Sequence, residues 1–210
     1  MAYQMTFSSL LDDAKRYLER GFTATEDPYV YQQLPRLINM AERRCARELK
    51  VQGFIKAVTT PLVVGQSTYQ KPDRWRDTVS MRVNGQPIFS RSYEYARGYW
   101  PDDSLTGVPE FYADYNYQHW VICPTPSLAS QLEIVYYEQP QLLDDENQVN
   151  WLTAYAPNLL LYATLLEATP FIKNDERIVT WQNAYDRAAQ SISGEDLKKI
   201  LDRAAIRSDV

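Results

Sequence analysis

Apolar residues recur at spacings of three and four through the first fifty positions. Phe7, Leu10, Leu11, Ala14, Tyr17 and Leu18 place one apolar face on a helix over 6–20. Thr6 is its expected N-cap, and Gly21 is placed to stop it. A second helix is predicted from Asp27 to Lys50. Asp27-Pro28 supplies a cap and a first-turn proline, and Leu34, Leu37, Ile38, Ala41, Cys45 and Leu49 form the buried stripe. Pro35 either kinks this helix or opens its main part.

From about residue 54 the period shortens to two. Ile55 to Val64 is one expected strand. Val79, Met81 and Val83 alternate with polar residues ahead of Asn84-Gly85, a strong hairpin-turn signal. Glu110 to Tyr115 and Gln118 to Cys123 make a second hairpin around Asn116. Leu132, Ile134 and Tyr136 alternate in a last strand, and Ser92 to Tyr99 is a short helix ended by Pro101. Helical spacing returns at Trp151. Leu159, Leu160, Leu161, Ala163, Leu165 and Leu166 leave almost no polar face, so this helix needs neighbours on all sides. Thr169-Pro170 breaks it. Ile178, Trp181, Tyr185, Ala188 and Ile192 carry the next helix, Ser193-Gly194 interrupts, and Ser193 with Asp196 resembles a capping box for a final helix. The predicted fold is α+β: a bundle of N- and C-terminal helices (about 6–50 and 151–207) with an antiparallel β-sheet module inserted at about 54–138. One domain over 1–210 is the simplest organisation, with no repeat, low-complexity segment or linker.

Composition adds few constraints. The chain has 210 residues, 45% hydrophobic and 23% charged, enough for a sizeable core. No apolar run approaches the ~20 residues that span a bilayer, and residues 1–10 lack a secretory pattern. No membrane association is expected, and the protein is expected to remain in a cytosol-like compartment. The net charge of −5 is uneven: residues 1–100 carry 15 basic and 10 acidic side chains, residues 101–210 carry 7 and 17. Either the halves neutralise one another on folding, or opposite faces of a subunit differ in sign and pair head-to-tail with further copies. Arg36, Arg43, Arg44, Arg47 and Lys50 fall off the apolar stripe of the second helix. Arg43, Arg44 and Arg47, with the acidic run Asp144-Asp145-Glu146, are candidates for a subunit interface. An acidic chain argues against a dedicated nucleic-acid binder. The 16 tyrosines and five tryptophans suit either a core or an interface.

Catalytic chemistry finds little support. The single histidine, His119, lies between tyrosine and tryptophan on an expected strand, and Cys45 and Cys123 are expected as buried free thiols. One histidine and two distant cysteines write no zinc motif. There is no G-x-S-x-G, G-x-G-x-x-G or Walker A loop. Asp144-Asp145-Glu146 lacks the glycine a calcium loop needs. The reading is of a non-enzymatic protein without catalytic residues, metal or cofactor.

A long run then carries a resemblance. Tyr136-Tyr137-Glu138-Gln139-Pro140, Leu142, Leu143, Asn147-Gln148-Val149-Asn150-Trp151-Leu152, Tyr155-Ala156-Pro157-Asn158-Leu159 through Ala163, and Ala168-Thr169-Pro170-Phe171 through Arg177 follow in order. Gly107-Val108-Pro109-Glu110-Phe111-Tyr112, Pro124-Thr125-Pro126 and Leu34-Pro35-Arg36-Leu37-Ile38 join them. Together they resemble the head-to-tail adaptor (connector, or neck) family of tailed bacteriophages over about Thr6 to Asp202. The resemblance implies a virion protein, assembled in the host cytoplasm. It would form a homo-oligomeric ring, usually a dodecamer, between the portal protein and the tail or nozzle protein. DNA would pass through without specific binding. It also implies a C-terminal segment that contacts the portal, for which Leu197, Ile200, Leu201, Ala204 and Ile206 are the candidates. Another tail component, such as a tail terminator or baseplate protein, is the alternative, ahead of a glycan- or nucleic-acid-cleaving enzyme.

Overall fold

A computed structural model of the chain describes residues 4–18, 28–171 and 176–203, the backbone alone at 28–31 and 196–203. The chain forms two compact units, one of residues 1–54 with 140–210 and one of residues 55–139. Counted by unit, the charge asymmetry between the halves disappears: the first unit carries 15 basic and 18 acidic residues, the second 7 and 9.

The first unit opens with helix α1 (Phe7–Leu18), whose buried face is Phe7, Leu10, Ala14 and Leu18. Thr6 caps it as expected, its hydroxyl accepting from the Ser9 N–H at 3.2 Å. The Gly21 stop and the Asp27 cap lie outside the described residues. Helix α2 (Pro28–Glu48) contains Pro35 in its interior rather than starting there. Leu34, Ile38, Ala41 and Cys45 are fully buried along it.

The second unit is a curled seven-stranded sheet. Its strands are β1 (Ile55–Leu62), β2 (Thr68–Gln70), β3 (Trp75–Val83), β4 (Gln86–Ser90), β6 (Phe111–Asp114), β7 (His119–Cys123) and β9 (Ser130–Glu138), with α3 (Tyr93–Tyr99) between β4 and β6. Short β5 (Thr106–Gly107) and β8 (Thr125–Pro126) pair separately. The order across the sheet is β1-β9-β3-β4-β6-β7-β2. Both expected hairpins form. Asn84 (φ 49°) and Gly85 (φ 82°) turn β3 into β4 in the left-handed conformations such a turn requires, and Asn116 Oδ1 accepts from the Gln118 and His119 N–H groups. The expectation of a purely antiparallel sheet needs correction: β4 pairs with β6, and β5 with β8, in parallel. For β4 and β6 the reason is the crossover through α3, which returns the chain in the same direction; for β5 and β8 the chain between them is the β6–β7 hairpin.

Strands β1 and β2 lie at opposite edges although only residues 63–67 separate them. The sheet therefore curls until its edges approach at that turn. There the Tyr69 hydroxyl bridges the seam, accepting from the Val63 N–H (2.9 Å) and donating to the Val63 carbonyl (3.2 Å). Leu62, Met81, Trp120, Ile122, Leu132 and Ile134 fill the concave side.

The chain returns to the first unit through α4 (Trp151–Tyr155), α5 (Pro157–Glu167) and α6 (Arg177–Arg203). Helix α5 is the centre: α1, α2, α4 and α6 all pack on it. This is what its apolar surface demanded, and Leu159, Leu160, Leu161 and Leu165 are buried. The expected break at Ser193-Gly194 is absent, because α6 runs through both. A glycine inside a helix costs only about 1 kcal/mol relative to alanine, and Trp181 and Tyr185 already anchor the helix in the core.

Candidate functional site

The expected interface residues lie on α2 and on the segment before α4, both in the first unit. Arg43 and Arg47 are exposed and Arg44 is half-buried. Arg44 is held within the unit. It pairs with Glu48 (2.9 Å) and Glu167 (3.6 Å), and its guanidinium lies 4.7 Å from the centre of the Tyr185 ring. The Tyr185 hydroxyl donates to Glu48, and burial and that carboxylate hold the phenol well above its ordinary range. Asp144, Asp145 and Glu146 are exposed. Asp144 is used locally, its Oδ1 accepting from the Glu146 and Asn147 N–H groups at 2.9 and 2.6 Å. Asp144 and Asp145 also line a groove of about 520 Å3 with Phe7, Leu11, Pro35 and Arg36. Of the expected portal-contact residues, Leu197, Ile200 and Leu201 fall on the backbone of α6, and Ala204 and Ile206 lie outside the described residues.

Beneath that groove is a residue the periodicity overlooked. Glu42 is fully buried on α2. It accepts from the Leu143 N–H (3.2 and 3.1 Å), from Asn150 Nδ2 (2.5 Å) and from Asn39 Nδ2 (3.3 Å). Burial raises its carboxyl from 4.5 to about 7, against the opposing pull of those donors and of Arg43. The signal was in the spacing. Glu42 is four residues after Ile38 and three before Cys45, on the stripe itself, where a charged residue must find partners or neutralise.

Glu42 is one anchor of a larger network. Asn150 also caps α4, its Oδ1 accepting from the Leu152 and Thr153 N–H groups, while Thr153 returns a bond to the Asn150 N–H. Asn147 Nδ2 donates to the Leu142 carbonyl (2.7 Å). The Gln148 carbonyl accepts from the Phe7 N–H (2.8 Å), and its side-chain oxygen accepts from the Ser8 N–H (3.1 Å). One short segment therefore satisfies the open N-termini of two helices and a buried acid.

The remaining chemical candidates are structural in place. Cys45 and Cys123 are buried free thiols, and burial pushes the Cys45 thiol up to about 12. His119 Nδ1 lies 3.2 Å from Asn116 Oδ1 in its own hairpin. Among the described residues no group of three or more His, Cys, Asp or Glu is placed to hold a metal ion, and no helix is long and apolar enough to cross a membrane. Tyrosine serves both roles allowed to it: Tyr69, Tyr112, Tyr136 and Tyr185 are core, while Tyr99, Tyr117 and Tyr155 are strongly exposed.

In this chain of mixed helix and sheet the polar side chains described above serve as caps and tethers, beside exposed apolar and aromatic groups. The family comparison makes this specific. The SU10 adaptor protein family matches residues 5–207, and the chain belongs to that family of phage adaptor proteins. The family is one of structural virion components rather than enzymes. A search of curated proteins gives no match.

Proposed function

We propose that this protein is a subunit of the phage neck, closing with its own copies into a ring, a dodecamer in the usual arrangement, that joins the portal protein to the tail or nozzle protein. DNA passes through the ring without sequence-specific contact. The family match over residues 5–207 is the observation that carries this reading. In it the helices on α5 act as a bundle and the curled sheet as an inserted module of one adaptor domain. The C-terminal stretch of α6 and the residues after it meet the portal through Leu197, Ile200, Leu201, Ala204 and Ile206. Arg43, Arg47 and the 144–146 turn remain candidates for contact between copies.

The test is the mass and negative-stain image of the purified protein, alone and mixed with the portal ring of the same phage. A closed ring seated on the portal supports the reading. A protein that ignores the portal and caps isolated tails makes it a tail terminator instead. Removal of residues 195–210 is expected to leave the far-UV circular dichroism of the remaining fold intact and abolish portal binding. Retained binding would refute the C-terminal contact alone.

A further inference from the structure

Asn84-Gly85 is the one place in the chain where asparagine precedes glycine. Both residues are exposed at the tip of the β3–β4 hairpin. The turn demands glycine for its backbone freedom, at φ 82°. The missing Cβ has a second effect: it leaves the Gly85 amide nitrogen uncrowded. Nothing lies within 4 Å of where a Cβ would stand. The Gly85 N–H also has no hydrogen-bond partner among the described residues. A bare main-chain nitrogen directly after a side-chain amide is a nucleophile placed for ring closure.

The Asn84 amide is held back from it by the start of β9. The Asn84 N–H donates to the Gln131 carbonyl (2.9 Å), its Oδ1 accepts from the Gln131 N–H (2.9 Å) and its Nδ2 donates to Ser130 Oγ (3.3 Å). The carboxamide carbon Cγ is thereby fixed against β9. Both side-chain bonds are exposed to solvent. Exposed bonds at a strand end open at far lower free energy than the fold as a whole.

We propose that Asn84 is a site of spontaneous deamidation, held in check by its bonds to Ser130 and Gln131. When those bonds open, the Gly85 nitrogen attacks Asn84 Cγ and gives its proton to solvent. The Cγ–Nδ2 bond breaks and ammonia leaves. The resulting succinimide takes up water, the only co-reactant. Opening at Cγ gives aspartate, and opening at the main-chain carbonyl gives isoaspartate. Asparagine and water thus become an acid and ammonia, with no change of oxidation state. Asn116 and Asn150 are worse placed, because Tyr117 and Trp151 follow them and their own amides cap a turn and a helix. The two products differ in effect. Aspartate keeps an acceptor for the Gln131 N–H and tolerates the left-handed turn. It sets a negative charge where residues 83–87 and 128–132 carry none. Isoaspartate lengthens the main chain by one carbon, and the turn no longer fits the pairing of Val83 with Gln86.

The test is incubation of the purified full chain at mildly alkaline pH, folded and in urea, followed by peptide mapping. Mass spectrometry reads the acid, and chromatography separates aspartate from isoaspartate. Acid is expected at residue 84 before any other asparagine, with isoaspartate among the products. The folded protein is expected to react at least about tenfold more slowly than the unfolded chain, the effect of several exposed hydrogen bonds. Below the unfolding transition, added urea should leave the folded rate nearly unchanged, because a local opening exposes little surface. Ser130→Ala removes the acceptor of Nδ2 and should speed the folded reaction about two- to fivefold while leaving the unfolded rate as it was. Asn84→Gly keeps a residue suited to the turn and should give no acid in that peptide. An unfolded chain that leaves Asn84 intact overturns the site. Equal rates in folded and unfolded protein overturn the restraint by β9, as does a folded Ser130→Ala protein that reacts at the wild-type rate. A rate that rises in step with global unfolding overturns the local opening. If Ser130→Ala fails to fold by circular dichroism, the two wild-type rates decide the matter by themselves.

Discussion

Replacing Glu42 with glutamine tests the buried network most directly. The carboxyl is fully enclosed, and burial lifts it from 4.5 to about 7. A raised acid favours its protonated form in the fold. Its stabilising contribution is therefore complete below about pH 4.5 and is lost as pH rises through 7. At about 1.4 kcal/mol per unit, the wild type forfeits about 3 kcal/mol over that interval through this residue. Glu42→Gln cannot ionise and escapes that loss. Its amide, however, sets an N–H2 against the Leu143 N–H and the Asn39 and Asn150 amides, which all donate toward position 42. That mismatch costs about 1–3 kcal/mol at every pH. The variant is thus expected to be less stable than wild type near pH 5 and about equal to it near pH 8. Urea unfolding followed at 222 nm, where the helices of the first unit dominate, measures both free energies from about pH 5 to pH 8. A wild-type-minus-variant difference that stays flat across this range would refute the reasoning.

Three smaller perturbations probe other parts of the fold. Gly53 sits against the Trp151 indole, where an added Cβ would lie 2.1 Å from Cε2 and Nε1. Gly53→Ala should therefore destabilise by about 1–3 kcal/mol, read as a lowered Tm; an unchanged Tm would show that the indole moves freely. Lys71 is almost fully buried, its ammonium 2.5 Å from Asp114 Oδ1 and 3.6 Å from the centre of the Trp75 ring. Asp114→Ala would strand that charge and should cost about 3 kcal/mol in urea unfolding, whereas a typical exposed substitution costs at most about 0.5 kcal/mol; a loss of that smaller size would refute the pairing. The Ser92 hydroxyl accepts from the Tyr95 N–H to cap α3; Ser92→Ala should cost about 1 kcal/mol and speed amide exchange in α3, and unchanged exchange would show the cap to be idle.

Features set by neighbouring residues were legible in the sequence. Asn84-Gly85, Asn116 and the short helix beginning at Ser92 depend on residues within a few positions, and the alternation of Leu132, Ile134 and Tyr136 reports one buried face. Features set by distant partners were not. β2 is three residues long and owes its place to β7, some fifty positions on. The parallel pairing of β4 with β6 depends on where α3 leaves the chain. The unbroken α6 depends on packing that outweighs a local glycine. The interface candidates were chosen by charge along the sequence, and that asymmetry vanishes once residues are grouped by the unit they fold into.

Glu42 and the 147–150 segment show what the polar residues in the resembling run do in the fold. Asn147, Gln148 and Asn150 stand in the run that resembles adaptors, and in the fold each is a tether: to the Leu142 carbonyl, to the start of α1, and to α4 with Glu42. Asparagine and glutamine suit this work because one amide both donates and accepts. Asn150 does so in full, donating to Glu42 and to the Gln141 carbonyl while accepting two backbone N–H groups. Replacing it with aspartate would keep the cap acceptor and turn the one nitrogen that makes both donations into an oxygen facing a carboxylate and a carbonyl. The polar signature of this segment is thus demanded by the junction of α1, α2 and α4.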